Sequence, residues 1–177
     1  MPMTILLATM VLTKAELISL LQKEVRLLLH LTTKIDAAAL DYRPTPKQRS
    51  TIELLRYLTT SGPALVQYAK GQPMDADAIA DATRVANSRD FDDTVAALAA
   101  LSDQYAEQLA DLSDDDLRGE IMWVDGSRIS RGLFLVNYVF GQAAQYRLQL
   151  FLYLKACGRE ELNTMNLWIG ADVPAPA

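Results

Sequence analysis

The chain has 177 residues, a length typical of one domain with a well-filled core, and 50% of its residues are apolar while only 7% are aromatic. Alanine and leucine dominate the apolar set, which favours helices over strands. The net charge of −5, without any cluster of lysines and arginines, argues against a nucleic-acid partner.

A single cysteine and a short apolar N-terminus bear on where the protein resides. Cys157 alone allows no internal disulfide, which is typical of a reducing cytoplasm. Residues 1–12 are apolar, but they lack a basic leader and a cleavage site, and about 20 residues are needed to span a bilayer. We interpret them as an ordered N-terminal extension or the lead-in to the first helix, in a cytoplasmic protein with no membrane partner. Translation could also begin at Met10.

The first helix is predicted over residues 13–40. Thr13 and Glu16 have the spacing of a capping box, and leucines follow at helical intervals. Pro44 and Pro46 prevent the helix from continuing further. The one histidine, His30, falls in this helix. One imidazole cannot build a multi-histidine site, so we interpret it as a packed or surface side chain, with a pH-sensitive group at an interface as the alternative.

A second helix is predicted after Ser50, where Ser50 and Glu53 form another capping box. Residues 61–63, Ser-Gly-Pro, should interrupt or kink it, and a further piece over residues 64–70 should end at Gly71. One side of this helix, which could face the last helix, carries Tyr57, Ser61, Ala64 and Tyr68.

The middle of the chain is more polar. Residues 71–90 are predicted as a connector with a short helical turn, and residues 91–112 as the third helix. The acidic run at residues 114–116 lacks the glycine and the ligand spacing of a calcium loop, so we interpret it as a helix cap or a solvated turn. Asp125-Gly126 lies between two short β-prone segments and predicts a small hairpin with a two-residue turn.

The longest helix signal covers residues 131–158. At 100° per residue, one polar-aromatic stripe collects on a helix that is otherwise apolar all round, which predicts either hydrogen-bonded core groups or the wall of a ligand pocket. The stripe consists of Tyr138, Gln142, Tyr146, Gln149 and Tyr153. The tail, residues 159–177, is predicted to be non-helical, with Leu167 and Trp168 anchored on the bundle or on a partner chain.

Segments of the second and the last predicted helix resemble the DinB-like superfamily. Its members are four-helix proteins related to the DNA-damage-inducible family and to thiol-dependent transferases. The family's last helix typically shows His-x-x-x-His-Arg-x-Gln-Leu, then a Tyr-Leu pair and a glycine, and its second helix shows Leu-Leu-x-His-Leu. The matching segments are residues 142–150, 153–158 and 54–58, and an extended Tyr-Arg-Pro at residues 42–44 also resembles the family. The resemblance implies an all-α fold, a DinB-like four-helix bundle with a small hairpin before the last helix, formed by residues 1–177 as one domain.

The three metal-binding histidines of that family correspond here to Tyr57, Gln142 and Tyr146. Tyrosine binds metal well only as phenolate, with an ordinary pKa near 10, and an amide carbonyl is a weak ligand. We therefore predict no metal and no other cofactor. The hypothesis is a DinB-like protein that has lost the metal site and serves as a small-molecule-binding or interaction module, as a homodimer paired through helix faces.

Two enzymatic alternatives stay open. In the first, a metal-independent thiol transferase or hydrolase, Tyr57, Tyr146 and Tyr138 would donate hydrogen bonds to a developing negative charge and Gln142 would orient the substrate. Glu53, one turn before Tyr57, is the nearest candidate base. In the second, a metal-dependent enzyme would use tyrosine, glutamine and Glu53 oxygens. The ligand-pocket candidates are therefore Tyr57, Gln142, Tyr146, Tyr138, Gln149 and Glu53, and no activity is assigned.

Overall fold

The computed structural model describes residues 12–172, so the extension predicted over residues 1–12 lies almost wholly outside the described part of the chain. Helix α1 spans Lys14–Thr32, and the predicted capping box between Thr13 and Glu16 is present. Its predicted end near Leu40 is wrong. The hydroxyls of Thr32 and Thr33 bond to carbonyls three residues earlier, and Asp36 caps a separate turn at Ala37–Ala39.

Helix α2 spans Thr51–Ala69, and its predicted capping box between Ser50 and Glu53 is also confirmed. The helix passes through Pro63 without the predicted interruption. It ends as predicted, because Gly71 adopts a φ of 93°, a left-handed conformation that glycine accepts without steric cost.

The segment after α2 is more helical than predicted. Helix α3 spans Ala76–Asn87, with the Asp75 side chain capping its first turn. Only Ala86 of this helix is buried, and the apolar face that Ala78, Ile79 and Ala82 form is short and mostly alanine, so it is a weak signal for a packed helix. Helix α4 spans Phe91–Leu109, close to the prediction, and Asp90 caps it. In the acidic run, Asp116 accepts hydrogen bonds from the backbone and side chain of Ser113 in an exposed turn, and the short helix at Asp116–Arg118 has no side-chain cap, so the solvated turn of the two interpretations is confirmed.

The predicted hairpin is present before the last long helix. Strands β1 (Glu120–Met122) and β2 (Arg128–Ser130) are antiparallel, with Ile121 opposite Ile129. The two-residue turn is replaced by a longer one: the N–H of Trp123 donates to Ser127, the N–H of Gly126 donates to Trp123, and Gly126 has a φ of 82°. This pattern matches a three-residue loop with its glycine in the left-handed region.

The predicted last helix is one continuous helical run in three parts. Helix α5 spans Arg131–Phe134, a π-helical segment covers Leu135–Phe140, and helix α6 spans Gly141–Ala156. Gly158, with a φ of 92°, follows the end of α6. The π segment breaks the spacing of 100° per residue on which the stripe prediction relied.

Four long helical units form the bundle: α1, α2, α4 and the α5–α6 run. Helix α4 packs against both α1 and α2, and α6 packs against α1 and α2, while α3 lies on the outside of α2. The fully buried side chains at the centre are mostly leucines, from α1 (Leu17, Leu21, Leu31), α2 (Leu54, Leu55), α4 (Leu98, Leu109) and the last run (Phe134, Leu135, Leu150, Leu154).

The C-terminal segment was predicted to be non-helical, and this is wrong for Thr164–Trp168, which forms helix α7 with Asn163 as its cap. Leu167 is buried against the bundle as predicted, whereas Trp168 is 58% exposed. The Nε2 of His30 lies 3.1 Å from the amide nitrogen of Asn166, so the one histidine packs against α7. Within residues 12–172, no helix is long and apolar enough to cross a membrane.

Candidate functional site

Helices α2 and α6 bring together the three positions that match the family's histidines. Ser61 Oγ donates to Gln142 Oε1 over 2.9 Å, and Gln142 Nε2 donates to the Tyr57 hydroxyl over 3.3 Å. The rings of Tyr57 and Tyr146 meet edge to face, with centroids 5.4 Å apart. All four side chains are half-buried. We call Tyr57, Ser61, Gln142 and Tyr146 the tyrosine–glutamine cluster.

A guanidinium lies directly on this cluster. The Cζ of Arg49 is 3.9 Å from the centre of the Tyr57 ring, within the range of a cation–π interaction. Burial raises the pKa of the Tyr146 hydroxyl, and the neighbouring Tyr57 raises it further, while Arg49 acts in the opposite direction. Tyr146 is therefore a neutral phenol near pH 7.

A cavity of about 410 Å³ opens between α2, α3 and α6, with Tyr57, Ser61 and Gln142 in its wall. The rest of its lining is largely apolar and includes Ala64, Leu65, Pro73, Met74, Ala78, Ile79 and Ala82. A second cavity, of about 600 Å³, lies between α2 and α3 toward the start of α2 and is lined by Arg49, Glu53 and Arg56. Tyr57, Thr60, Ile79 and Thr83 line both cavities, so the two adjoin. We call them the apolar cavity and the arginine cavity.

Glu53, the candidate base, is engaged elsewhere. One carboxylate oxygen accepts the backbone N–H of Ser50 at 2.8 Å, and the other accepts Arg43 Nη2 at 3.1 Å. The hydrogen bond from Ser50, with a smaller contribution from Arg43, lowers the pKa of Glu53 below its ordinary value. A carboxylate stabilised in this way is a weaker base than a free one.

Tyr138 packs in an aromatic group and is not among the lining residues of the two cavities. Its ring packs against Trp123 and Phe134 at centroid distances of 4.6 and 4.9 Å, in an aromatic group that also contains Tyr68. Tyr138 belongs to the π segment, so the spacing of 100° per residue that aligned it with Gln142 does not apply to this part of the helical run. Tyr68 likewise faces this aromatic group and donates to the Met122 carbonyl.

Gln149 lies next to the cluster rather than in it. Its amide bonds to the hydroxyl of Tyr153, which donates to the Arg49 carbonyl over 3.1 Å. A shallow pocket of about 460 Å³ is lined by Gln149, Tyr146, Arg49 and the neighbouring Lys47 and Gln48. Tyr153, the last member of the predicted stripe, is buried and packs edge to face on Tyr42.

The cluster does not fit a divalent metal. Its donors are a neutral phenol, a second tyrosine and an amide whose oxygen already accepts from Ser61, and zinc or nickel sites prefer imidazole or thiolate. The guanidinium of Arg49 adds a positive charge 3.9 Å from the Tyr57 ring, where a cation would be repelled. Within residues 12–172, no group of three or more histidine, cysteine or acidic side chains could hold a metal ion.

Two contributors to this region carry no sequence pattern that marks them as part of a site. Helix α3 supplies one wall of both cavities, although its alanine-rich sequence with several aspartates is typical of a connector. Arg49 carries no such sequence signal, because it precedes the capping residue Ser50 and lies outside the helix. The signal that pointed to Ser61 was its spacing from Tyr57 on one side of α2.

The helical bundle with a hairpin before its last long helix is the architecture of a DinB-like protein. A model of the DinB superfamily matches residues 20–138, and the chain belongs to that superfamily. The match includes Tyr57 but ends before Gln142 and Tyr146. The crystal structure of a DinB-like protein from Bacillus subtilis, YjoA, is similar in fold, with a TM-score of 0.61 and 18% identity over 83% of this chain and 95% of that chain. No curated protein matches the sequence.

Proposed function

We propose that this DinB-superfamily protein binds a small molecule in the apolar cavity between α2 and α3. The supporting observation is the lining of that cavity, in which the polar groups of Tyr57, Ser61 and Gln142 stand together against an otherwise largely apolar wall. Ligand sites commonly combine an apolar lining with a few convergent polar groups, in cavities of roughly 300–1,000 Å³.

The same proposal holds that the superfamily's metal site has been replaced. Hydrogen bonds from Ser61 to Gln142 and from Gln142 to Tyr57 engage the groups that would otherwise face a cation. Tyr57, Ser61 and Gln142 each have a hydrogen-bond partner within the cluster, so none of the three depends on a bound cation for a partner. The cluster therefore supports a structured, metal-free wall.

The enzymatic alternatives have less support. A metal-independent transferase needs a base, and Glu53 is held by Ser50 and Arg43 with its pKa lowered. A metal-dependent enzyme built on Tyr57, Gln142 and Glu53 would have to break both of these hydrogen bonds to Glu53. Ligand binding without catalysis leaves both hydrogen bonds to Glu53 in place.

The test is NMR titration of the full chain with 1-octanol, a neutral apolar probe. We expect saturable shifts of backbone signals around Tyr57, Ala64 and Ala82. Ala78→Phe should fill the cavity and abolish these shifts, because Ala78 lines it. Ala80→Phe, the same change in the same exposed helix but outside the cavity lining, should bind as the wild type does.

Two results would overturn the proposal. One is the absence of saturable binding in the wild type. The other is equal binding by the Ala78→Phe and Ala80→Phe variants, which would place the probe elsewhere on the protein.

A further inference from the structure

We infer that the ligand is an amphipathic anion, with its apolar body in the apolar cavity and a carboxylate in the arginine cavity, held by Arg49 and Arg56. The inference rests on the proposed function, since it names the chemical class of the molecule that occupies the same cleft. It starts from the charges at the second cavity.

Arg56 is fixed in place but incompletely bonded. One terminal nitrogen donates to the carbonyl of Arg89, which ties the guanidinium to the chain after α3. Its Nε is buried and has no hydrogen-bond partner among the described residues. The guanidinium therefore keeps a positive charge that is not fully compensated, and a carboxylate in the cavity that Arg56 lines would stabilise it.

Within residues 12–172, neither Arg49 nor Arg56 forms an ion pair with a carboxylate. Arg49 instead stacks on Tyr57, at the boundary of the two cavities. The one acidic side chain in the lining, Glu53, is already bonded to Arg43 and to the Ser50 backbone. The arginine cavity therefore presents two guanidinium groups against one neutralised carboxylate.

The two cavities are arranged for one elongated molecule. They share Tyr57, Thr60, Ile79 and Thr83, and they succeed one another along the groove between α2 and α3. From Arg56 to Gln67, the helix rise of 1.5 Å per residue gives a span of about 16 Å. A ligand with its charged group at Arg56 would extend its apolar part past Tyr57 toward Leu65. The planar fork of arginine matches the two oxygens of a carboxylate.

The experiment compares probes that share one alkyl chain and differ in the head group: octanoate, octyl phosphate, 1-octanol and octylammonium. Dissociation constants are measured by NMR titration of the full chain. We expect octanoate to bind about tenfold or more tightly than 1-octanol, as charge-assisted hydrogen bonds predict, and octylammonium to bind most weakly. Added salt should weaken the binding of octanoate and leave the binding of 1-octanol unchanged.

Two variants and a control locate the head group. Arg56→Met and Arg49→Gln should each remove most of the preference for octanoate over 1-octanol. Arg49 is exposed, so replacing it should not disturb folding. The Arg49→Gln variant therefore keeps the test valid if Arg56→Met fails to fold. Arg84→Gln, in α3 and paired with Asp81 outside both cavities, should leave the preference intact.

The outcomes are distinct. Equal binding of octanoate, 1-octanol and octylammonium would overturn this inference and leave the proposed function standing. A preference for octanoate that remains in both Arg56→Met and Arg49→Gln would likewise overturn this inference and leave the proposed function standing. Tighter binding of octyl phosphate than of octanoate would replace the carboxylate with a phosphate head group. Binding of no probe would contradict the proposed function and this inference together.

Discussion

Arg147 joins three parts of the molecule through one guanidinium. Its Nε and Nη2 donate to the two carboxylate oxygens of Glu24 at 2.7 and 3.4 Å, and its Nη1 donates to the Leu167 carbonyl. Its Cζ lies 5.2 Å from the Trp168 ring. Both charged side chains are only 5% exposed, so the ion pair is sealed from water between α1, α6 and α7. Arg147 therefore has a structural role, and the C-terminal segment depends on it.

Removing this guanidinium should destabilise the protein strongly. Arg147→Met leaves the Glu24 carboxylate buried without a partner, and we expect a loss of about 3–5 kcal/mol in the free energy of unfolding. Urea denaturation measures the loss. The double change Glu24→Leu with Arg147→Met should recover much of it, because no buried charge then remains. A loss below about 1 kcal/mol for Arg147→Met would contradict the account.

At the scale of elements, α2 and α4 approach closely at one glycine. A Cβ built on Gly62 would lie 2.1 Å from the hydroxyl oxygen of Tyr105 and 3.2 Å from its Cζ. Tyr105 is itself buried, and burial raises the pKa of its hydroxyl far above the ordinary value. The contact explains why a glycine occupies the middle of a buried helix, where alanine usually has the higher helix propensity.

Gly62→Ala should therefore destabilise the protein, although glycine-to-alanine changes within helices usually stabilise. We expect a loss of about 1–3 kcal/mol from overpacking, measured by chemical denaturation. Placing Gly62→Ala in a Tyr105→Phe background removes the closest atom and should reduce the loss. A stabilising effect of Gly62→Ala in the wild-type background would show that α2 and α4 are not packed in this way.

The sequence predicts elements well where the signal is local. Capping boxes at Thr13 and Ser50 locate two helix starts, and Asp125-Gly126 locates the hairpin. Helix α3 escapes prediction because it is mostly exposed and its apolar face, with Ala78, Ile79 and Ala82, is short and mostly alanine. The π segment also escapes prediction, since no residue pattern indicates it. The convergence of Tyr57, Gln142 and Tyr146 follows from the family resemblance rather than from periodicity.

At the scale of the whole molecule, α6 leaves an apolar strip on the surface. Leu148 and Leu152, four residues apart, are 46% and 55% exposed, and a groove of about 330 Å³ beside them is lined by Tyr42 and Pro44. Residues at this spacing share one helix face. We propose that a second copy of the chain covers this strip in a twofold-symmetric dimer, where the same face meets itself.

Sedimentation of the full chain over a range of concentrations tests the dimer. We expect the wild type to self-associate and Leu152→Asp to shift it to monomer, because a carboxylate would be buried at the twofold interface. Leu133→Asp, at a leucine of α5 that is 51% exposed, is the matched control and should leave association unchanged. A wild type that stays monomeric at every concentration would contradict the proposal.

We propose that Tyr57, Gln142 and Tyr146 occupy the place of the superfamily's metal site and no longer bind metal. Elemental analysis of purified, untagged protein tests it directly when the wild type is compared with the triple variant Y57H/Q142H/Y146H. We predict no stoichiometric zinc or nickel in the wild type and about one equivalent in the variant, which restores three imidazole ligands. One equivalent in the wild type would contradict the claim, and an empty variant would show that the three positions do not form the site.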